Sequence, residues 1–198
     1  MLLVISGITI ILGSFLILGN EKTWRIWNIP TKQPVFYDLR LITAGAESYS
    51  QGYDPAFNNP FDPEQRLFNY PRIWYFILAS GIDQRSTVIL GILLAFGFFA
   101  SLATFRGEID RTTAIIQTVA VFSPAVLLGL ERGNVDIAIF VLLAIGLFSM
   151  DYSKQLSLLV LFLAIALKIF PVFGISYLLD DDKRSIKYII IGILSTAA

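Results

Sequence analysis

Apolar and polar positions fall in long blocks along this chain. Residues 2–19 form one apolar run, Asn20 to Arg72 form a polar stretch, and further apolar runs lie at roughly 73–82, 86–105, 112–130, 137–150, 156–179 and 188–198. At 1.5 Å per residue, a run of about 20 residues matches the ~30 Å hydrocarbon core of a bilayer. The pattern therefore predicts an all-α fold, a polytopic transmembrane helix bundle whose one large loop is 20–72. No basic segment precedes the first run and no small-residue cleavage site follows it, so it reads as an uncleaved anchor. The last run stops at Ala198 without a polar cap, the ending expected of a fragment of a longer chain. On this reading 1–198 is a single transmembrane domain.

Orientation follows from where the basic residues fall, because cytoplasmic loops carry the excess of Lys and Arg. A cytoplasmic N-terminus places 20–72 outside, 106–111 with Arg106 and Arg111 inside, 131–136 outside and 151–155 with Lys154 inside. Strict alternation would then leave 180–187 outside despite Lys183, Arg184 and Lys187; Asp180, Asp181 and Asp182 weigh little in this rule. A break at Lys168-Ile169-Phe170-Pro171 resolves the conflict, since proline interrupts the helical ladder. Two half-helices meeting there return the basic cluster to the cytoplasm. The expected location is the plasma (inner) membrane, multi-pass.

Composition narrows the chemistry. Hydrophobic residues make up 56% of the chain, mean hydropathy is +0.70, and 15 basic residues balance 15 acidic ones. A neutral balance argues against nucleic acid, which needs a basic face. There is no cysteine, hence no disulfide framework and no thiolate zinc site. There is also no histidine, the commonest acid–base group and metal ligand. Any reaction must run on carboxylates, Arg, Lys, Tyr and backbone groups.

The 20–72 stretch holds six of the eight prolines and ten aromatic residues, too many rings for a disordered linker. It is expected to be folded and to lie at the membrane surface, where Trp and Tyr are favoured. Leu39, Ile42, Ala46, Tyr49 and Tyr53 recur at helical spacing, which predicts an amphipathic interfacial helix ended by Gly52 and Asp54-Pro55. Asp38 stands at its N-terminus as a helix cap, a chemical group, or both.

These residues also carry a resemblance. Tyr37-Asp38-Leu39-Arg40, Ala44 and Ala46, Gly52-Tyr53-Asp54-Pro55 and Tyr70-Pro71 resemble the first external loop of GT-C membrane glycosyltransferases. The nearest likeness is to the family 87 type, related to polyprenol-phosphate-dependent mannosyltransferases. Arg72 stands where the family pattern has a second proline. Ser123-Pro124 and Gly133-Asn134-Val135-Asp136 resemble the family's Pro…Gly-Gln/Asn-x-Asn segment, and Lys168-Ile169-Phe170-Pro171 resembles its Lys-x-x-Pro. The motifs run in the family's order over nearly the whole chain, although family members usually extend much further.

The resemblance implies an inverting, metal-independent glycosyltransferase without a cofactor. A hexose would pass from a polyprenyl-phosphate-linked donor to a lipid or glycan acceptor on the external face. Asp38 would be the general base, removing the acceptor's proton as its oxygen attacks the anomeric carbon. Arg40, Asp54, Tyr70, Arg72, Arg132, Asn134, Asp136 and Lys168 would contact the substrates, cations and amides stabilising the leaving phosphate. Some family members pair the acid with a histidine, which this chain lacks.

Each residue also has a structural reading. Arg40 could pair with Asp38; Gly52, Asp54, Pro55, Tyr70 and Pro71 could simply shape turns; Arg72 could snorkel to headgroups. Arg132 could pair with Glu131 or Asp136, and Lys168 could snorkel rather than meet the donor's phosphate or an acidic partner. The run 137–150 spans only about 21 Å as a helix, so Glu131 to Asp136 is expected below the membrane surface, where charges demand partners. Half of a transporter or flippase, with Arg132, Asp136 and Lys168 along a substrate path, is the competing class. A non-catalytic scaffold subunit is a third. No internal repeat of the inverted kind is visible.

The orientation has a direct test, made unambiguous by the lack of native cysteine. A cysteine introduced at Asn58 is expected to react with an impermeant thiol reagent in intact cells, and one at Gly107 to be protected. The opposite pattern would invert the topology and remove the external-face chemistry.

Overall fold

The computed structural model describes residues 2–103, 110–169 and 171. Every regular element among them is helical: α1 (Leu2–Leu18), α2 (Asn20–Ile26), α3 (Arg40–Ser50), α4 (Tyr75–Leu78), α5 (Thr87–Leu102), α6 (Arg111–Val121), α7 (Pro124–Arg132), α8 (Val135–Ser149) and α9 (Lys154–Leu167). Single 3₁₀ turns occur at Arg72–Trp74 and Gln84–Ser86. The all-α class predicted from the block pattern is what these residues form.

Among the described residues one stretch, Gln84–Leu102, is long and apolar enough to cross a membrane. The pair α6 and α7, bent by 44° at a short break, is a second if the two are taken together. Helices α1, α8 and α9 are apolar but shorter, at 17, 15 and 14 residues. The 73–82 run departs from expectation. It yields only the Arg72–Trp74 turn and the four-residue α4 before the chain turns at Gly81, where φ is +81°. Asp83 then starts the next turn, its carboxylate accepting from the N–H groups of Arg85 and Ser86.

The interior is two apolar clusters joined through α8. Leu41, Ile42 and Ala46 of α3 meet Phe68, Trp74 and Leu78, and these pack against Val135 and Ile139 of α8 and Ala164 and Leu167 of α9. Ile137, on another side of α8, belongs with Ile11, Trp24, Ile29, Phe98, Val121, Leu127 and Leu130. On the outside, α1, α5 and α6 carry exposed large apolar residues; Leu16, Ile17 and Phe96 are 90%, 82% and 71% exposed.

The expected interfacial helix exists as α3, but it is enclosed by protein. Leu41 through Ala46 and Ser48 are all buried. Its small residues explain this: a Cβ on Gly45 would lie 3.2 Å from the Phe68 ring, so neighbours close in on sides a membrane would otherwise meet. The Thr43 and Thr87 hydroxyls, 2.7 Å apart and buried, tie α3 to α5. Pro124 breaks the 112–130 run as proline should: α6 stops before it and α7 begins at it. Ser123 caps α7 and Pro124 occupies its first turn, where no amide hydrogen is required.

Helix α9 ends at Leu167 and Lys168 is extended, as the Lys168–Pro171 motif predicts. The Trp74 indole N–H donates to the Leu167 carbonyl at 2.9 Å, satisfying a helix-end acceptor and holding Lys168 in register with the loop. The return of the chain after Pro171, the basic loop 180–187, the run 188–198 and Arg106 lie outside the described residues.

Two glycines of α5 make a matched experiment. A Cβ at Gly91 would come within 2.4–2.6 Å of the Phe36 ring, whereas one at Gly97 would meet Val141 at an ordinary 3.6 Å. Alanine favours helix by up to about 1 kcal/mol over glycine at either place. Gly97→Ala should therefore leave the melting temperature in detergent unchanged or raised, and Gly91→Ala should lower it by several degrees. Equal effects would mean that Phe36 is not wedged against α5.

Candidate functional site

The α7–α8 turn builds the site. Gly133 closes α7 in the left-handed conformation (φ +62°) and Asn134 opens α8, its Oδ1 accepting from Asp136 N at 2.9 Å. The Arg132 carbonyl, left without a helical partner, accepts N–H groups from Asp38 (2.9 Å) and Leu39 (3.3 Å). This seats the start of α3 on the turn. Asn134 Nδ2 then donates to Asp38 Oδ2 at 3.2 Å. Phe36, just upstream, takes a left-handed backbone (φ +55°) that is rare for a bulky residue, with its ring on Gly91 and its Cβ side against Gly133.

Asp136, on the first turn of α8, forms an ion pair with Lys168 at the end of α9. Arg132 Nε stands 2.8 Å from Glu131 Oε2, out of hydrogen-bonding alignment, and its Nη2 donates to the Pro30 carbonyl at 3.4 Å. The other oxygen of Glu131 accepts from Lys32 N at 3.1 Å, so this buried carboxylate also holds the loop. The Tyr70 ring packs on Phe68 and Trp74. Its hydroxyl is pushed above its ordinary pKa by burial and by the nearby Asp38 and Asp136 carboxylates, with Arg66 acting the other way.

Asp38, Arg132 and Asp136, with the Asn134 amide, form the polar part of the wall of a cavity of about 1050 Å³. The rest of that wall is almost wholly apolar: Val4 of α1, Phe98 and Leu102 of α5, Ala120 and Val121 of α6, Val126 and Leu128 of α7, and Ile137 and Phe140 of α8, with Gln117 the one neutral polar side chain from a helix interior. Such a cavity suits an amphipathic ligand, polar at one end and hydrocarbon along its length.

The sequence-predicted residues thus divide. Asp38, Tyr70, Arg132, Asn134, Asp136 and Lys168 come together. Asp54 and Arg72 form a separate group: Asp54 accepts from the Tyr75 hydroxyl and from Ala56 N (3.1 Å) and lies 3.5 Å from Arg72, which covers the Tyr75 ring. The Tyr75 bond above all, then the Ala56 amide and Arg72, hold Asp54 below the usual carboxylate range. Arg40 does not pair with Asp38. It turns back to the Val35 carbonyl (3.2 Å) and Gln84 (3.4 Å). Asp38 is not a side-chain cap either, because Leu39 occupies the N-cap position and the Asp38 carboxylate points to Asn134.

The cation facing Asp38 is Arg66, with Nη1 3.9 Å from Oδ1. Sequence reasoning passed it over, although Asp62 and Arg66 in a proline-rich loop have ion-pair spacing. Comparison with protein-family models, curated proteins and solved structures finds no match for this chain.

Asp62, whose side chain is wholly buried, gives the site a pH dependence. Burial would raise its pKa, but Arg66 and the backbone N–H groups of Arg66 and Glu64 outweigh burial and leave it below the ordinary value. A depressed carboxylate binds its proton less readily folded than unfolded. Its contribution is therefore complete above the unfolded value of about 4 and declines as pH falls through the folded value. Asp62→Asn should cost stability at pH 7 and flatten the loss of stability between about pH 4 and pH 2. An unchanged acid profile would show that Asp62 titrates alike in both states.

Proposed function

We propose that this chain is a membrane glycosyltransferase that takes a hexose from a polyprenyl-phosphate donor and passes it to a lipid or glycan acceptor at the external face. The observation that carries the reading is the joining of two environments in one cavity: a largely apolar interior, and a wall section bearing two carboxylates, an amide and Arg132, with Lys168 paired to one of the carboxylates. A sugar–phosphate head with an isoprenoid tail has the same division. The exposed apolar faces of α1, α5 and α6 support contact with a bilayer, and in this reading the chain is multi-pass in the plasma membrane.

In this reading Asp38 is the base. Oδ2 is held by Asn134 and Oδ1 accepts no hydrogen bond, so Oδ1 is free to take the proton from the acceptor hydroxyl. As that proton leaves, the acceptor oxygen forms its bond to the anomeric carbon and the carbon–oxygen bond to the lipid phosphate breaks from the opposite side. A single displacement of this kind inverts the anomeric centre. Lys168 and Arg132 offset the charge gathering on the departing phosphate. For Lys168 this means leaving Asp136, so donor binding exchanges one anionic partner for another. Asp54, with Arg72 and Tyr75, is available to acceptor hydroxyls.

The bend between α6 and α7 beside a polar site also suits a transporter half, in which broken helices line a path. One substitution separates the readings. Asp38→Asn keeps the side chain's shape and can turn its oxygen to Asn134 Nδ2, so the full-length protein should accumulate normally in the membrane. Its transfer rate should fall by about 10²–10⁴-fold, because an amide cannot accept the proton. Unchanged transfer in washed membranes would rule out Asp38 as the base, and transport without transfer in the wild type would favour the other class.

A further inference from the structure

Arg66 lies behind Asp38, outside the wall of the cavity, and its side chain is fixed from several directions. Nε donates to both oxygens of the buried Asp62 carboxylate at 3.0 and 3.2 Å, and Nη2 donates to Asp62 Oδ2 at 2.8 Å. Nη2 also donates to the carbonyl of Tyr37, the residue preceding Asp38, at 2.9 Å. The guanidinium covers the Tyr37 ring at 4.1 Å, and the Arg66 carbonyl accepts from the buried Asn59 at 2.9 Å. Only Nη1 is left without a hydrogen bond, and it stands 3.9 Å from Asp38 Oδ1, the oxygen that Asn134 does not hold.

That stand-off has a chemical consequence. An arginine in direct contact would occupy the lone pairs of Oδ1 that a base needs. At 3.9 Å the positive charge still attracts the carboxylate, while Oδ1 stays open. We infer that Arg66 is the positioning residue of Asp38: anchored by Asp62, it fixes the backbone before the carboxylate and orients Oδ1 by charge without capping it. The inference rests on Asp38 being the base proposed above and assigns to Arg66 a role that acts through Asp38 alone.

The test is a double-mutant cycle in the full-length protein. Transfer from a radiolabelled polyprenyl-phosphate hexose is measured in washed membranes, normalised to folded protein, for wild type, Arg66→Gln, Arg66→Lys, Asp38→Asn and the Asp38→Asn/Arg66→Gln pair. Arg66→Gln should lower kcat by about 10²-fold with little change in KM for the donor, the size expected when a reacting group loses its alignment. Arg66→Lys, which keeps the charge, should restore part of the loss. Adding Arg66→Gln to Asp38→Asn should slow the residual rate no further, because the group it positions is already gone. A double mutant slowed by the product of the two single effects overturns the inference, as does full kcat in Arg66→Gln. Should Arg66→Gln fail to accumulate, Arg66→Lys decides: kcat as low as that of Asp38→Asn means that charge is not what matters, and the inference falls. An inactive wild type overturns the transferase reading and this role with it, whereas an active wild type indifferent to Arg66 overturns this role alone.

Discussion

Two backbone N–H groups, those of Asp38 and Leu39, converge on one carbonyl at the end of α7. Helix ends leave their last carbonyls without partners, and a buried end must find donors elsewhere. Here the donors come from a loop almost a hundred residues earlier in the chain. The arrangement is possible because Gly133 turns the backbone left-handed, and because Phe36 and Leu39 press so closely on it that a Cβ there would sit 3.0–3.1 Å from theirs. One contact therefore ends a helix, docks α3 and delivers Asp38 to Asn134. Neither α3 nor the α7–α8 turn would hold the carboxylate alone.

The charges around the cavity follow a common rule. Asp38 faces Arg66, Asp136 meets Lys168, and Glu131 lies against Arg132. Each acid stands against a base, and the Glu131–Arg132 pair is the most enclosed, with the Glu131 side chain only 3% exposed. Deleting Arg132 would leave the buried Glu131 uncompensated, which costs more than the pair itself contributes. The pairs also join distant parts of the chain: loop to loop, α8 to α9, and through Glu131 and the Lys32 amide, α7 to the first loop.

Much of the helix layout was legible because helix-length apolar blocks are a local property. The 2–19 run became α1 with its end moved by one residue, and the stop of α9 at Lys168 followed from Pro171. The short run 73–82 was misleading, since its length admits either a core turn or part of a span and only packing decides. Arg40 does not meet Asp38 for a geometric reason: positions two apart near a helix start do not face one another. Asp38, Asn134 and Asp136 could be associated only through the order of the resembling motifs, because periodicity does not reveal which loops meet. Arg66 was missed for the same reason, as it lies 28 positions after Asp38, with α3 and an irregular loop between them, and only folding brings them close.

The cavity wall carries a last consequence. Hydrocarbon against Val, Leu, Phe and Ala is attracted without direction, and a methylene more or less changes affinity by only about 1–3 kcal/mol. Polar groups discriminate far more sharply, because a mismatched head leaves buried donors and acceptors unmet. For an amphipathic occupant of the kind proposed, selectivity would therefore be divided along the length of the cavity: permissive toward an apolar tail, and stricter at the end where Asp38, Asn134 and Asp136 stand.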